Sequence, residues 1–161
     1  MNKKDLLVSL LKESVDKLYQ EQVCLLVRSG MEQAAVARVF FYMQMALYTD
    51  PRFIQFRSLY LDSEYNKNGV APKILYGAST RPDLILHNRC CGETSTNVLV
   101  VEFKVENENI EDDYRKLRGY TSQYEQYKYF LGVSVKLNRE NALYKYFQKG
   151  QEKDEAELCA E

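Results

Sequence analysis

Apolar residues recur at helical spacing from Leu6 to about Leu26, through Leu7, Leu10, Leu11, Val15 and Leu18, which predicts a helix with a break near Gln20. A second stripe through Ala35, Val36, Val39, Phe40, Met43 and Leu47 predicts a helix from Met31 to about Tyr48, closed off by Pro51. The period then changes. Phe56 to Tyr65 alternates and reads as a strand, and Asn66-Lys67-Asn68-Gly69 reads as a turn. Two short apolar runs follow, Asp83 to His87 and Val98 to Lys104, separated by a polar loop around Gly92-Glu93, which predicts a hairpin. Ile110, Tyr114, Leu117, Tyr120 and Tyr124 return to helical spacing behind the acidic opening Glu111-Asp112-Asp113. Tyr129 to Leu137 is the last apolar strand, and the charged segment 151–161 is expected to be a flexible tail. The predicted order is helix, helix, strands, helix, strand, an α/β or α+β arrangement in which a small mixed sheet is flanked by helices.

Composition changes this picture little. A chain of 161 residues, 45% apolar and 28% charged, fits one globular domain, here residues 1–150. The net charge of −1 excludes a global field that would draw the molecule onto nucleic acid or an acidic membrane, so any phosphate binding must be local. Cys24, Cys90, Cys91 and Cys159 form no CxxC pair, and that usage fits a reducing compartment. The stretch after Met1 carries Asp5, Glu13, Asp16 and Lys17, so neither a signal peptide nor a membrane span is expected and a cytoplasmic location follows.

The chemistry concentrates on the hairpin. Side chains alternate along a strand, so Glu102 and Lys104 share a face with Val98 and Val100, while Leu99, Val101 and Phe103 take the other. A simple hairpin centred on Gly92-Glu93 makes positions summing to 185 neighbours, which sets Asp83 opposite Glu102. Two carboxylates held together supply the hard oxygen ligands that Mg²⁺ or Mn²⁺ requires. Lys104 would then set an ammonium beside the metal, where it can orient a water and offset charge in a phosphodiester hydrolysis. The competing reading is that Glu102 and Lys104 are only a surface ion pair, and the apolar run before them argues against a freely exposed strand.

Arg81-Pro82-Asp83-Leu84-Ile85-Leu86-His87, followed by Val98 to Val101 and Glu102-Phe103-Lys104, resembles the paired motif of the PD-(D/E)XK nuclease superfamily. The resemblance covers about residues 29–137 and implies a restriction-endonuclease-like αβββαβ core with an extra N-terminal helix. It implies that Asp83 and Glu102 bind the metal, that Lys104 assists the water, and that nucleic acid is hydrolysed, with DNA the first expectation and RNA the second. The acid that many members add from the first helix matches Glu32, although Ser29-Gly30-Met31-Glu32 also reads as a capping box that would turn Glu32 back on its own helix. The alternative function is a catalytically silent nuclease-fold protein that binds nucleic acid or serves as a regulatory module. A homodimer is compatible with either.

Weaker candidates surround this set. Lys116 and Tyr120 lie one helical turn apart and are candidates for the substrate backbone, with Tyr120 also on the apolar stripe and therefore expected in the core. Glu64 is a turn-flanking carboxylate that can approach the site from the first strand. His87 is the single histidine, so a His-based metal cage is excluded and a structural role is expected. Cys90-Cys91 beside it lacks the spacing of a zinc site, and no phosphate-binding glycine loop occurs.

Overall fold

In a computed structural model, the structure describes residues 1–27, 30–68, 71–89, 96–105 and 109–158. Helix α1 (Lys3–Glu21) is opened by a reciprocal cap in which Asn2 Oδ1 accepts from the Asp5 N–H at 2.9 Å and Asp5 Oδ2 accepts from the Asn2 N–H at 3.2 Å. A short 3-10 turn, Val23–Leu25, follows at the expected break. Helix α2 (Glu32–Thr49) packs against α1. Asp50 caps the next 3-10 helix, Pro51–Phe56, with Pro51 at its start. That helix takes the first residue of the expected strand 56–65, whose regular part is therefore β1 (Tyr60–Ser63).

Two small hairpins occupy the segment after β1. The first pairs β2 (Lys67–Asn68) with β3 (Ala71–Pro72), so the expected turn at Asn66 to Asn68 is partly strand, while Gly69 lies outside the described residues. The second pairs β4 (Ile74–Leu75) with β5 (Ala78–Ser79) across Tyr76-Gly77, both at positive φ. The chain then enters β6 (Leu84–His87), β7 (Leu99–Val105), α3 (Glu111–Thr121) and β8 (Leu131–Leu137). The predicted hairpin loop around Gly92-Glu93 and the break at Asn107 lie outside the described residues.

The main sheet has six strands in the order β1-β6-β7-β8, completed by β9 (Ala142–Gln148) and β10 (Gln151–Lys153). β1, β6 and β7 run antiparallel in sequence, and β8 returns parallel to β7 after the α3 crossover. The protein is thus a mixed α/β structure with helices on both faces of a mixed sheet. One face buries Leu10, Leu18, Val39 and Met43 of α1 and α2 against Leu99, Val101 and Phe103. The other buries Tyr114, Leu117 and Tyr120 of α3 against Ile85, Val100 and Phe147. β7 is covered on both faces, which explains why it reads as a continuous apolar run.

Within the expected flexible tail 151–161, residues 151–153 form β10 and residues 155–158 form a helix, while 159–161 lie outside the described residues. Lys149 and Gly150, both at positive φ, make a two-residue turn that folds β10 back on β9, and α4 (Glu155–Leu158) seats Leu158 in the core. Charge alone predicted solvation; one apolar anchor and the edge of β9 outweigh it. Among the described residues, no helix is long and apolar enough to cross a membrane.

Gly132 decides how closely α3 approaches the sheet. A Cβ there would lie 2.9 Å from Thr121 Cγ2 and 3.3 Å from both Leu117 Cδ2 and Phe147 Cβ. Thr121 is fully buried and its hydroxyl bonds the Leu117 carbonyl at 2.8 Å, so it has little room to yield. Gly132→Ala is expected to destabilise the fold by about 1 to 3 kcal/mol, measured by urea unfolding with an unchanged m-value. Unchanged stability would mean that α3 can be lifted without loss.

Candidate active site

β6 and β7 pair Leu84 with Val101, Ile85 with Val100 and Leu86 with Leu99, the register that sums to 185. One step further along the same register, Asp83 stands opposite Glu102. Asp83 Oδ2 accepts the Phe103 N–H at 2.7 Å, which ties the start of β6 to the end of β7 and fixes the carboxyl beside its neighbour. The parity expected for Glu102 and Lys104 holds within β7, where Val100 belongs to the α3 face and Val101 and Phe103 to the α1/α2 face; Val98, expected beside Val100, lies before the strand and joins the α1/α2 core instead.

Helix α2 brings the third carboxylate. Its N-cap is Met31, with no side-chain cap, and Glu32 Oε2 instead accepts the Val105 N–H at 3.2 Å. Glu32 Oε1 lies 3.9 Å from Lys104 Nζ. Helix α2 begins at Glu32 itself, whose carboxylate reaches across to β7; the Ser29 half of the capping-box alternative lies outside the described residues. A cleft of about 510 Å³ opens here, with Glu32, Ser63, Glu64 and Asp83 on its walls. Glu64, held at φ 49°, approaches this cleft and pairs with Arg81 at 3.5 Å.

α3 contributes two groups. Asp113 is buried in its first turn, 3.5 Å from Lys104 Nζ through Oδ2 and 3.3 Å from Lys116 Nζ through Oδ1. By sequence, Asp113 reads only as helix-start charge. The available signal was its place one turn before Leu117, on the stripe that faces the sheet. Lys116 turns inward as well. Burial opposes its charge, but the Glu102 and Asp113 carboxylates outweigh burial and raise its pKa. Tyr120 lies in the core, as its apolar stripe predicts; it is fully buried with its hydroxyl 2.6 Å from Thr80 Oγ1, which corrects its candidacy for the substrate backbone.

Electrostatics mark the carboxyl pair. Burial pushes the Glu102 carboxyl well above its ordinary range, and the adjacent Asp83 adds to the shift. Burial also raises Asp83, against the opposing pull of the Phe103 N–H and the Lys104 ammonium. Glu102 is 2% exposed, and its Oε1 has no hydrogen-bond partner among the described residues. A buried carboxylate oxygen left unbonded costs about 1 to 3 kcal/mol or more, a cost that a bound cation would remove. Among the described residues, no three His, Cys, Asp or Glu side chains stand at metal-ligand spacing. Two facing carboxylates nonetheless suit Mg²⁺, which keeps several waters and commonly takes only one or two carboxylates from a protein.

No protein-family model matches this chain, and no curated protein matches it. The site therefore rests on its own geometry.

His87 belongs to a separate buried cluster. Its Nε2 is 3.0 Å from Asp62 Oδ2, and Arg89 holds the same carboxylate through Nε at 2.9 Å and through a second nitrogen. Burial lowers the His87 pKa, so Asp62 receives its countercharge from Arg89 and a hydrogen bond from a neutral ring. This accounts for His87 as a structural residue. Cys90 and Cys91 lie outside the described residues, and Cys24 is a free, exposed thiol.

Proposed function

We propose that this protein is a metal-dependent nuclease that hydrolyses phosphodiester bonds in nucleic acid, with DNA as the first substrate to test. The observation that carries the proposal is the facing pair Asp83 and Glu102, both held above their ordinary pKa and flanked by Lys104 and Glu32. Such a pair is destabilising without a cation, and folds retain such costs where the group is used. The chain order supports the reading. Leaving aside the 3-10 helix before β1 and the two small hairpins between β1 and β6, the chain runs helix, three antiparallel strands, helix and a strand parallel to the third, an order compatible with the αβββαβ resemblance.

In this reading Asp83 and Glu102 hold Mg²⁺ or Mn²⁺, which supplies Lewis-acid stabilisation of the charge that builds on phosphate oxygens. Lys104 directs its ammonium toward the same charge and orients the attacking water. Glu32 limits where that ammonium can go, because its carboxylate is bonded to the β7 backbone. The N-termini of α2 and α3 both open near this end of the sheet, and their partial positive charge favours a substrate phosphate.

Cleavage of plasmid, linear duplex and single-stranded DNA in Mg²⁺ and in Mn²⁺ tests the proposal, with Asp83→Ala beside the wild type and circular dichroism to check folding. Metal-dependent cutting that falls at least about 100-fold in a folded Asp83→Ala is the expected result. A folded wild type that cuts none of these with either ion points instead to the catalytically silent binding module. The deep burial of Glu102 and the ion pairs already made by Lys104 are the features that favour that second reading.

A further inference from the structure

Among the described residues, six charged groups meet at the end of β7, and their order is informative. Glu32 pairs with Lys104 at 3.9 Å, Lys104 with Asp113 at 3.5 Å, and Asp113 with Lys116 at 3.3 Å. Lys116 in turn acts on Glu102, and Glu102 on Asp83. Asp113 is the hinge of this sequence, because each of its oxygens faces a different ammonium. It is only 2% exposed, and its Oδ2 has no hydrogen-bond partner among the described residues, so the Lys104 contact is an ion pair across 3.5 Å. Its backbone lies in the first turn of α3, whose buried stripe of Tyr114, Leu117 and Tyr120 anchors the helix to the sheet.

We propose that Asp113 is a positioning residue for the two lysines: its buried carboxylate separates their ammoniums, holding Lys104 on the Glu32 and Asp83 side and Lys116 toward Glu102. The inference rests on the nuclease reading for its catalytic consequence and on the ion-pair geometry alone for its structural one. Two ammoniums sharing one buried region repel each other unless a carboxylate lies between them, and a long lysine side chain released from its partner has many rotamers to explore. Lys116 has a further carboxylate in Asp112, 3.6 Å away but exposed, which a buried Asp113 outranks as a fixed anchor. The lysines consequently take different tasks. Lys116 offsets the buried Glu102 charge, and Lys104 is kept for the substrate.

The test uses full-length Asp113→Asn and Asp113→Glu, with folding checked by circular dichroism and thermal melting. The first readout needs no activity: metal-free protein is acylated briefly with an amine-reactive ester, and labelling of Lys104 and Lys116 is followed by mass spectrometry. Asp113→Asn is expected to label both lysines several-fold faster than wild type, while Asp113→Glu, which keeps the charge, restores at least half of the protection. Unchanged labelling in Asp113→Asn, or Asp113→Glu no better than Asp113→Asn, overturns the proposal. The second readout is kinetic. In a wild type that cuts DNA, Asp113→Asn is expected to lower kcat about 100-fold with KM within about threefold, the signature of a misplaced group and not of lost substrate binding. A raised KM at unchanged kcat overturns it, as does loss of Mn²⁺ binding equal to that of Asp83→Ala, which would make Asp113 a ligand. If the wild type cuts nothing, the nuclease reading fails, and the labelling experiment still decides the positioning role.

Discussion

Lys104→Ala is expected to slow metal-dependent cleavage by about 10²- to 10⁴-fold while leaving Mn²⁺ uptake within a few-fold of wild type. The two halves of this expectation have separate causes. Lys104 stands two residues beyond Glu102 on the same strand face, and its ammonium acts directly on the Asp83 carboxyl. In the proposed mechanism, removing that positive charge takes away the group that would orient water and offset negative charge in the transition state. It removes no oxygen ligand, so the carboxyl pair keeps its attraction for a cation. Single-turnover cleavage and a Mn²⁺ titration by electron paramagnetic resonance separate the two effects. Full cleavage by the variant would reduce Lys104 to an ion-pair partner of Glu32 and Asp113. Equal loss of metal and of cutting would make its role structural.

Glu102→Gln is expected to act in opposite directions on metal binding and on the stability of the metal-free protein. Mn²⁺ binding should weaken by at least about tenfold, because an amide oxygen carries no charge to offer the cation. Metal-free stability at pH 8 should rise by about 1 to 3 kcal/mol, the scale on which neutralising a poorly compensated buried charge acts. Lys116 loses one carboxylate in this variant but keeps Asp113 at 3.3 Å, so no buried ammonium is orphaned. The pH dependence follows from the same cause. Burial raises the folded-state pKa of Glu102 above the ordinary 4.5 and that of Asp83 above 3.8, so the native state holds more protons than the unfolded chain above those values. Their favourable contribution is complete below the unfolded values and is lost as pH rises through the folded ones. Metal-free wild type should therefore lose stability as the solution is made less acidic through that window, and Glu102→Gln should flatten the loss. Urea unfolding across pH with and without Mn²⁺ reads both effects. A variant that binds Mn²⁺ normally and shows the wild-type pH profile would remove Glu102 from the site.

The largest correction concerns the end of the chain. Asn138 to Asn141 forms a polar turn, closed by an Asn138 N–H to Asn141 carbonyl bond of 2.9 Å, between two stretches that both carry alternating apolar residues. The second stretch is β9, legible in Tyr144 and Tyr146 on alternate positions but interrupted by lysine and glutamine. Its partner β10 has no apolar residue and exists as a strand because the edge of β9 supplies the missing hydrogen bonds. The small hairpins between Lys67 and Ser79 escaped for a similar reason, being two-residue ladders too short for a period to show.

The two helices before the sheet, the apolar strands β6, β7 and β8, and the alignment of Asp83 with Glu102 are legible along the chain. These are consequences of local rules. A period of 3.6 or 2 selects the element, and a hairpin fixes register by counting outward from its loop. The reach of Glu32 to β7 depends on packing, since a helix-opening glutamate can serve its own N-terminus or a neighbouring strand and both bonds are locally acceptable. The same holds for Asp113, which became a buried bridge between two lysines because α3 lies along β7. The burial of Tyr120 follows from its apolar stripe, but the partner of its hydroxyl, Thr80, lies forty residues away and is supplied by packing. Contacts of this kind depend on how layers pack, and the spacing of residues along one element carries no record of the element it will face.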